Sequence, residues 1–316
     1  MEGTVKKDLL SISDLSPEQI LDLFDLALKV KAGKVGQGVL WGKTLAMIFE
    51  KPSLRTRVTF EVGMTQMGGH AVYLGPKDIQ LGKRETVADG ARNLSRWVDG
   101  IMARTFAHQT VLELAQNATV PVINGLTDEE HPCQALACGL TLIERQPGTS
   151  VEEKSAHLKG QRLVFMGDGN NVAHSLMLMG PKLGMDFVIA CPEGYAPKPH
   201  IAEAARELAG EHQTSFEILA DPHRAVRGAD VIYTDVWASM GQEAEQEART
   251  RLFRPYQVNS TLVGEAAPDC LVTHCLPAHR GEEITDDVLD GPHSIALDEA
   301  ENRLHIQKAI LITWMR

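Results

Sequence analysis

The chain has 316 residues, 43% hydrophobic and 23% charged, enough for two domains with substantial cores. Its formal net charge of −11 excludes a general binder of nucleic acid or of anionic membranes, so any basic cluster is a local exception. Five cysteines, Cys133, Cys138, Cys191, Cys270 and Cys275, form an odd set without a CxxC pair, which suits reduced thiols in the cytoplasm. The N-terminal stretch has no apolar signal core, and no segment approaches the length of a membrane span.

In chain order, Ser16-Pro17-Glu18-Gln19 is a capping box with proline at the first helical position, and it predicts a helix to about residue 31. Strand-like apolar runs then alternate with helical patterns. "TLAMIF", "AVYL", "GIMAR" and "VPVI" are separated by helices near 54–67, 86–98 and 108–117, and a longer helix follows His131. The polar, turn-rich stretch 144–161 reads as a linker. Beyond it "RLVFMGD", "DFVIAC", "SFEILA", "DVIYTDV" and "CLVTHCLP" read as strands with helices between, and a final helix covers roughly 300–315. The alternation predicts an α/β protein of two doubly wound parallel-sheet domains with an active-site cleft between them. The expected division is 1–148 with the C-terminal helix 300–316, which packs back on the first domain, and 149–299.

The stretch "FEKPSLRTRVTF", residues 49–60, places a strand end, a turn and a helix start in succession. Ser53 is a good N-cap, and Leu54, Val58 and Val62 follow an i, i+4 stripe. A helix N-terminus carries partial positive charge, yet Arg55 and Arg57 occupy its first turn and Lys51 lies just upstream. An oxyanion such as phosphate would make that charge tolerable, because free N–H groups, dipole and guanidiniums all favour it. A solvated basic patch paired with Glu50 or Glu61 is the alternative.

Other junctions carry matching chemistry: Arg104 ends "GIMAR", His131 and Gln134 open a helix in "HPCQ", and "FMGDGNNVAHS" is a glycine-rich strand–turn–helix. "DVWASMGQE" and "HCLPAHRGEEI" each follow a strand. Taken in this order and spacing, from about residue 8 to the C-terminus, these motifs resemble the aspartate/ornithine carbamoyltransferase family, and its ornithine branch most closely. The resemblance implies transfer of the carbamoyl group of carbamoyl phosphate to the δ-amine of L-ornithine, giving L-citrulline and phosphate, in arginine biosynthesis or, in reverse, catabolism. It implies no metal and no organic cofactor. The alternative is a carbamoyltransferase with another amine acceptor, N-acetylornithine or putrescine.

By the same resemblance, Ser53, Leu54, Arg55, Thr56 and Arg104 would hold the phosphate. His131 and Gln134 would contact the carbamoyl group, with Arg303 of "EAENR" near it. Leu54 stands where threonine is usual, so a hydroxyl contact would be lost while the backbone N–H survives. Asn171, Asp235, Ser239 and Met240 would bind ornithine, with Cys275 and Leu276 near both substrates. Arg55, Arg104, His131, Asp235 and Cys275 would form the catalytic set, and the other four cysteines read as packing. The family also implies a homotrimer, or a higher assembly of trimers, with shared active sites; Gln80 in the loop 78–86 would reach a neighbouring subunit.

Three other readings compete. "VFMGDGNNVAHS" is similar to a dinucleotide fingerprint but lacks its third glycine, with Val172 in that region. His274, Cys275 and His279 could catch a zinc ion, although no fourth ligand is apparent. A non-enzymatic sensor on a retained fold is the third, against which the intact set of catalytic positions argues.

Overall fold

The computed structural model describes residues 8–82, 84–238 and 245–316. The chain divides into two compact units, Met1–Leu136 with Asn302–Arg316, and Ala137–Glu301. Both boundaries fall inside helices, Pro132–Arg145 and Ala296–Met315.

The first unit is built on β1 (Thr44–Phe49), β2 (His70–Leu74), β3 (Gly100–Arg104) and β4 (Val122–Leu126). All pairings are parallel, in the order β2-β1-β3-β4. Strands β3 and β4 are buried along their whole length and β1 over all but its first residue, as parallel strands covered on both faces must be, whereas the edge strand β2 is half-exposed. Ala46, Ile48, Ile101 and Val122 pack against Val87, Ala91, Val111 and Leu114 of the helices Val87–Leu94 and His108–Asn117. The helix Leu54–Gln66 starts where the N-cap predicts, with Ser53 Oγ accepting from the Thr56 N–H. Its inner face differs from the predicted stripe. Thr56, Phe60, Gly63 and Met64 are buried, while Leu54 and Val58 are exposed. A stripe of apolar residues marks one face of a helix, but the sheet here is met by the neighbouring face.

The second unit holds β5 (Arg162–Met166), β6 (Asp186–Ala190), β7 (Phe216–Leu219), β8 (Val231–Thr234) and β9 (Leu271–His274). These are again all parallel, in the order β7-β6-β5-β8-β9. Val164, Val188, Ile232 and Val272 form one layer of its core with Val226 and Leu262. The polar stretch 144–161 lies within this unit, where Ser150 and Glu153 make a capping box for the short helix Val151–Ala156. Among the described residues, no helix is long and apolar enough to cross a membrane.

Candidate active site

In an open parallel sheet, ligands bind beyond the carboxyl ends of strands, at the point where successive connections leave in opposite directions. In the first unit that point lies between β1 and β3, whose last residues, Phe49 and Arg104, are register partners. The β3–β4 ladder shifts register between Ala103 and Arg104, the kind of irregularity that re-aims a side chain at a site. Arg104 is buried, and its Nη1 lies 3.5 Å from Thr56 Oγ1 in the first turn of the helix after β1. Arg303, 247 residues away in sequence, donates from Nη2 to the same oxygen at 3.0 Å and from Nη1 to Gln134 Oε1. One buried hydroxyl thus receives two guanidiniums.

His131 follows β4 through a tight turn. The Thr127 hydroxyl accepts from the N–H groups of Glu129 and Glu130, and the Thr127 N–H donates to the Glu130 carbonyl at 2.9 Å. The buried Glu130 accepts from the Ile12 N–H at 3.1 Å, which fixes the approach to the helix. Burial, followed by the positive charges of Arg303, Arg104 and Arg55, holds the His131 imidazole well below its usual range, so it is neutral near pH 7. A neutral imidazole surrounded by three guanidiniums can donate a hydrogen bond to a carbonyl oxygen without competing for a proton. Lys51 stands close by, its ammonium 4.6 Å from the centre of the Phe106 ring; burial and Arg104 lower its pKa.

The two arginines of the helix N-terminus part company. Arg57 is exposed, pairs with Glu61 at 3.0 Å and stacks over Tyr73 at 3.7 Å, so the surface reading holds for it. Arg55 is half-buried and belongs to the charge around His131. Leu54 is exposed. Gln80 is also exposed, in a turn where its carbonyl accepts from the Arg84 N–H, and takes no part in the bonds just described.

The second unit repeats the logic between β5 and β8, where its own connections diverge. Asn170 follows β5, Asp235 follows β8 and Cys275 follows β9. Asn170 Oδ1 caps its helix by accepting from Val172 and Ala173, and Nδ2 donates to Asp235 Oδ2 at 2.8 Å. Asp235 Oδ1 accepts from the Val236 N–H at 2.8 Å and from the Cys275 thiol at 2.9 Å. Asn171, the sequence candidate, is the first residue of the helix and half-buried; Leu276 donates its N–H to His274 Nδ1 at 2.8 Å. Ser239 and Met240 lie outside the described residues.

Sequence reading missed Asn170, although adjacent asparagines before a helix leave the cap ambiguous. It also missed a buried pair: Asp168 accepts from Arg249 at 2.8 Å, and the same guanidinium donates to the Trp237 carbonyl at 3.0 Å. Burial and the nearby Asp235 raise the Asp168 pKa. No sequence signal connects residues 81 positions apart.

The rival readings meet specific obstacles. A Cβ on Gly169 would sit 2.3 Å from Pro197 N, so this turn is pressed against neighbouring chain, and Asn170 already occupies the first-turn N–H groups that a pyrophosphate would use. Both ring nitrogens of His274 are engaged, Nε2 with Glu283 at 3.0 Å and Nδ1 with the Leu276 N–H. His279 groups with Glu282 and Glu283, while Asp235 joins His274 and Cys275.

The carbamoyl-P binding domain of aspartate/ornithine carbamoyltransferase matches residues 7–144, and the Asp/Orn binding domain of the same enzymes matches 159–314. The chain belongs to the aspartate/ornithine carbamoyltransferase family. Its chemistry is carbamoyl transfer. It is 57% identical over 308 residues to an ornithine carbamoyltransferase of Pyrococcus abyssi, covering 96% of this chain and 94% of the relative. The corresponding protein of Bacillus subtilis is 54% identical over 305 residues, 96% of this chain and 92% of the relative. A solved ornithine carbamoyltransferase from Pyrococcus furiosus superposes with a TM-score of 0.92 at 55% identity, covering 98% of this chain and 97% of that one. Within this family frame, Arg303 falls in the region matched by the Asp/Orn domain, yet its hydrogen bonds run to Thr56 and Gln134 of the carbamoyl-phosphate region.

Proposed function

We propose that the chain transfers the carbamoyl group of carbamoyl phosphate to the δ-amine of L-ornithine, releasing L-citrulline and phosphate. The observation that carries the donor half is the buried, neutral His131 ringed by Arg55, Arg104 and Arg303. The amine lone pair forms the new C–N bond, the C–O bond to phosphate breaks with its electron pair going to the phosphate, and the proton lost by the nitrogen is balanced by release of the phosphate as hydrogen phosphate. Negative charge grows on the carbonyl oxygen as the amine adds, and His131, Gln134 and the guanidiniums are donors already in place for it. Arg55 and Arg104, with Ser53, Leu54 and Thr56 at the helix start, take the phosphate.

For the acceptor, the names borne by relatives 53–57% identical and the chemistry of Asp235 agree. A nearly buried carboxylate fed by an amide, a thiol and a backbone N–H suits the α-ammonium of an amino acid. N-acetylornithine lacks that charge, and putrescine lacks the carboxylate that Asn171 would meet. Ser239 and Met240 complete the acceptor set, joined by Cys275 and Leu276. The working assembly is a homotrimer or a set of trimers in the cytoplasm, with Gln80 lent to a neighbouring subunit. Acceptor-dependent release of phosphate from carbamoyl phosphate, measured with L-ornithine, N-acetylornithine, putrescine and aspartate, tests the reading. L-ornithine should lead in kcat/KM by at least about 100-fold, the scale of one lost charged contact. Equal rates with N-acetylornithine or putrescine would refute the role of Asp235.

A further inference from the structure

Glu299 is fully buried, and both of its oxygens are used. Tyr233 Oη donates to Oε1 at 2.7 Å, and Thr273 Oγ1 donates to Oε2 at 2.6 Å. Tyr233 and Thr273 are not arbitrary neighbours: they are direct register partners across the β8–β9 ladder. Two positions beyond Tyr233 is Asp235, and two beyond Thr273 is Cys275, the pair joined by the 2.9 Å thiol–carboxylate bond. The carboxylate therefore grips the paired residues two positions upstream of Asp235 and Cys275, which are the first residues past the ends of β8 and β9.

Burying a carboxylate costs more than a well-packed apolar replacement would, so stability alone is a poor reason for it here. What a carboxylate supplies is two acceptors at a fixed separation, which sets the spacing of two hydroxyls and hence of the strands bearing them. Burial and the adjacent Glu299 keep the Tyr233 phenol well above its usual pKa, so it remains a donor. We infer that Glu299 is a positioning residue for carbamoyl transfer: through Tyr233 and Thr273 it fixes β8 against β9 so that Asp235 and Cys275 converge on the acceptor. The inference rests on the reading of Asp235 and Cys275 as the acceptor pair.

The test removes one arm of the grip without touching the pair itself. Thr273→Val is nearly isosteric and lacks the hydroxyl; Thr273→Ser keeps it. The valine variant should raise KM for ornithine by roughly 10-fold, the worth of one hydrogen bond to a charged acceptor, with the Kd of carbamoyl phosphate unchanged, and serine should restore it. Cys275 is the one cysteine of the five that is not buried, so iodoacetamide labelling mapped by mass spectrometry reads its environment independently of turnover. Thr273→Val should alkylate several-fold faster. Should Thr273→Val not fold, Tyr233→Phe carries the same expectations. Wild-type ornithine KM together with a wild-type alkylation rate would overturn the inference. If Asp235→Asn leaves ornithine KM unchanged, the acceptor reading itself fails, and the grip is then judged on alkylation alone.

Discussion

Arg55 and Arg57 are two residues apart in one helical turn and have different duties. Arg57 spends its charge on Glu61 and the Tyr73 ring at the surface, and Arg57→Ala should change stability by no more than about 1 kcal/mol and leave carbamoyl phosphate affinity alone. Arg55→Ala should keep the fold and weaken carbamoyl phosphate binding by about 1.5–3 kcal/mol, measured by calorimetric titration; unchanged affinity would remove Arg55 from the phosphate site. His131 adds a signature in pH. Its folded pKa lies well below the ordinary 6.5, so the unfolded chain takes up a proton first as the solution is acidified. The stability tied to this group is complete above 6.5 and is lost as pH falls toward the folded value. Urea midpoints should decline between about pH 7 and pH 5 more steeply in the wild type than in His131→Gln, and parallel slopes would contradict the buried neutral imidazole.

Each unit has a helix N-terminus at its candidate site, capped by a side chain to which a second task is proposed. Ser53 caps Leu54–Gln66 while its hydroxyl proton stays available for an anion, and Ser53→Ala should cost about 1 kcal/mol of ligand-free stability. Asn170 is more informative, because its cap oxygen and its donor nitrogen can be separated. Asn170→Asp retains the cap acceptor for Val172 and Ala173 but replaces the donor to Asp235 with a second carboxylate. Ornithine KM should rise roughly 10-fold or more, the scale of a lost hydrogen bond to a charged group. An unchanged ornithine KM would make Asn170 a cap and nothing else. The strands needed no tertiary help to be read, since buried parallel strands are continuous apolar runs. The inner face of Leu54–Gln66 did need it: Leu54 and Val58 carry the apolar pattern and lie exposed, while Thr56 is buried under two arginines.

At the scale of the whole molecule, the open matter is assembly. If active sites are shared between subunits through Gln80, an Arg104→Ala chain and a Gln80→Ala chain should each be impaired alone. Their mixture should regain activity after subunit exchange, since some sites then contain both wild-type residues. Absence of any recovery in samples where mass spectrometry detects mixed trimers would rule out a shared site. The same experiment separates a role for Gln80 from the exposed-loop reading that a single chain supports.

The sequence by itself determined the class of fold, through strand and helix periodicity, and it picked out candidate positions through short motifs at strand ends: Ser53–Thr56, Arg104, His131-Pro132-Cys133-Gln134, Asp235 and Cys275. Local chemistry suffices there, because a strand end followed by a helix start already defines an anion-friendly place. Tertiary structure alone decided which long-range partners meet. Arg303 reaches Thr56 and Gln134, Arg249 reaches Asp168, and Glu299 closes on Tyr233 and Thr273. Such bonds join residues whose sequence separation carries no periodic or motif signal. They exist only once parallel pairing has set the register and brought the strand ends side by side.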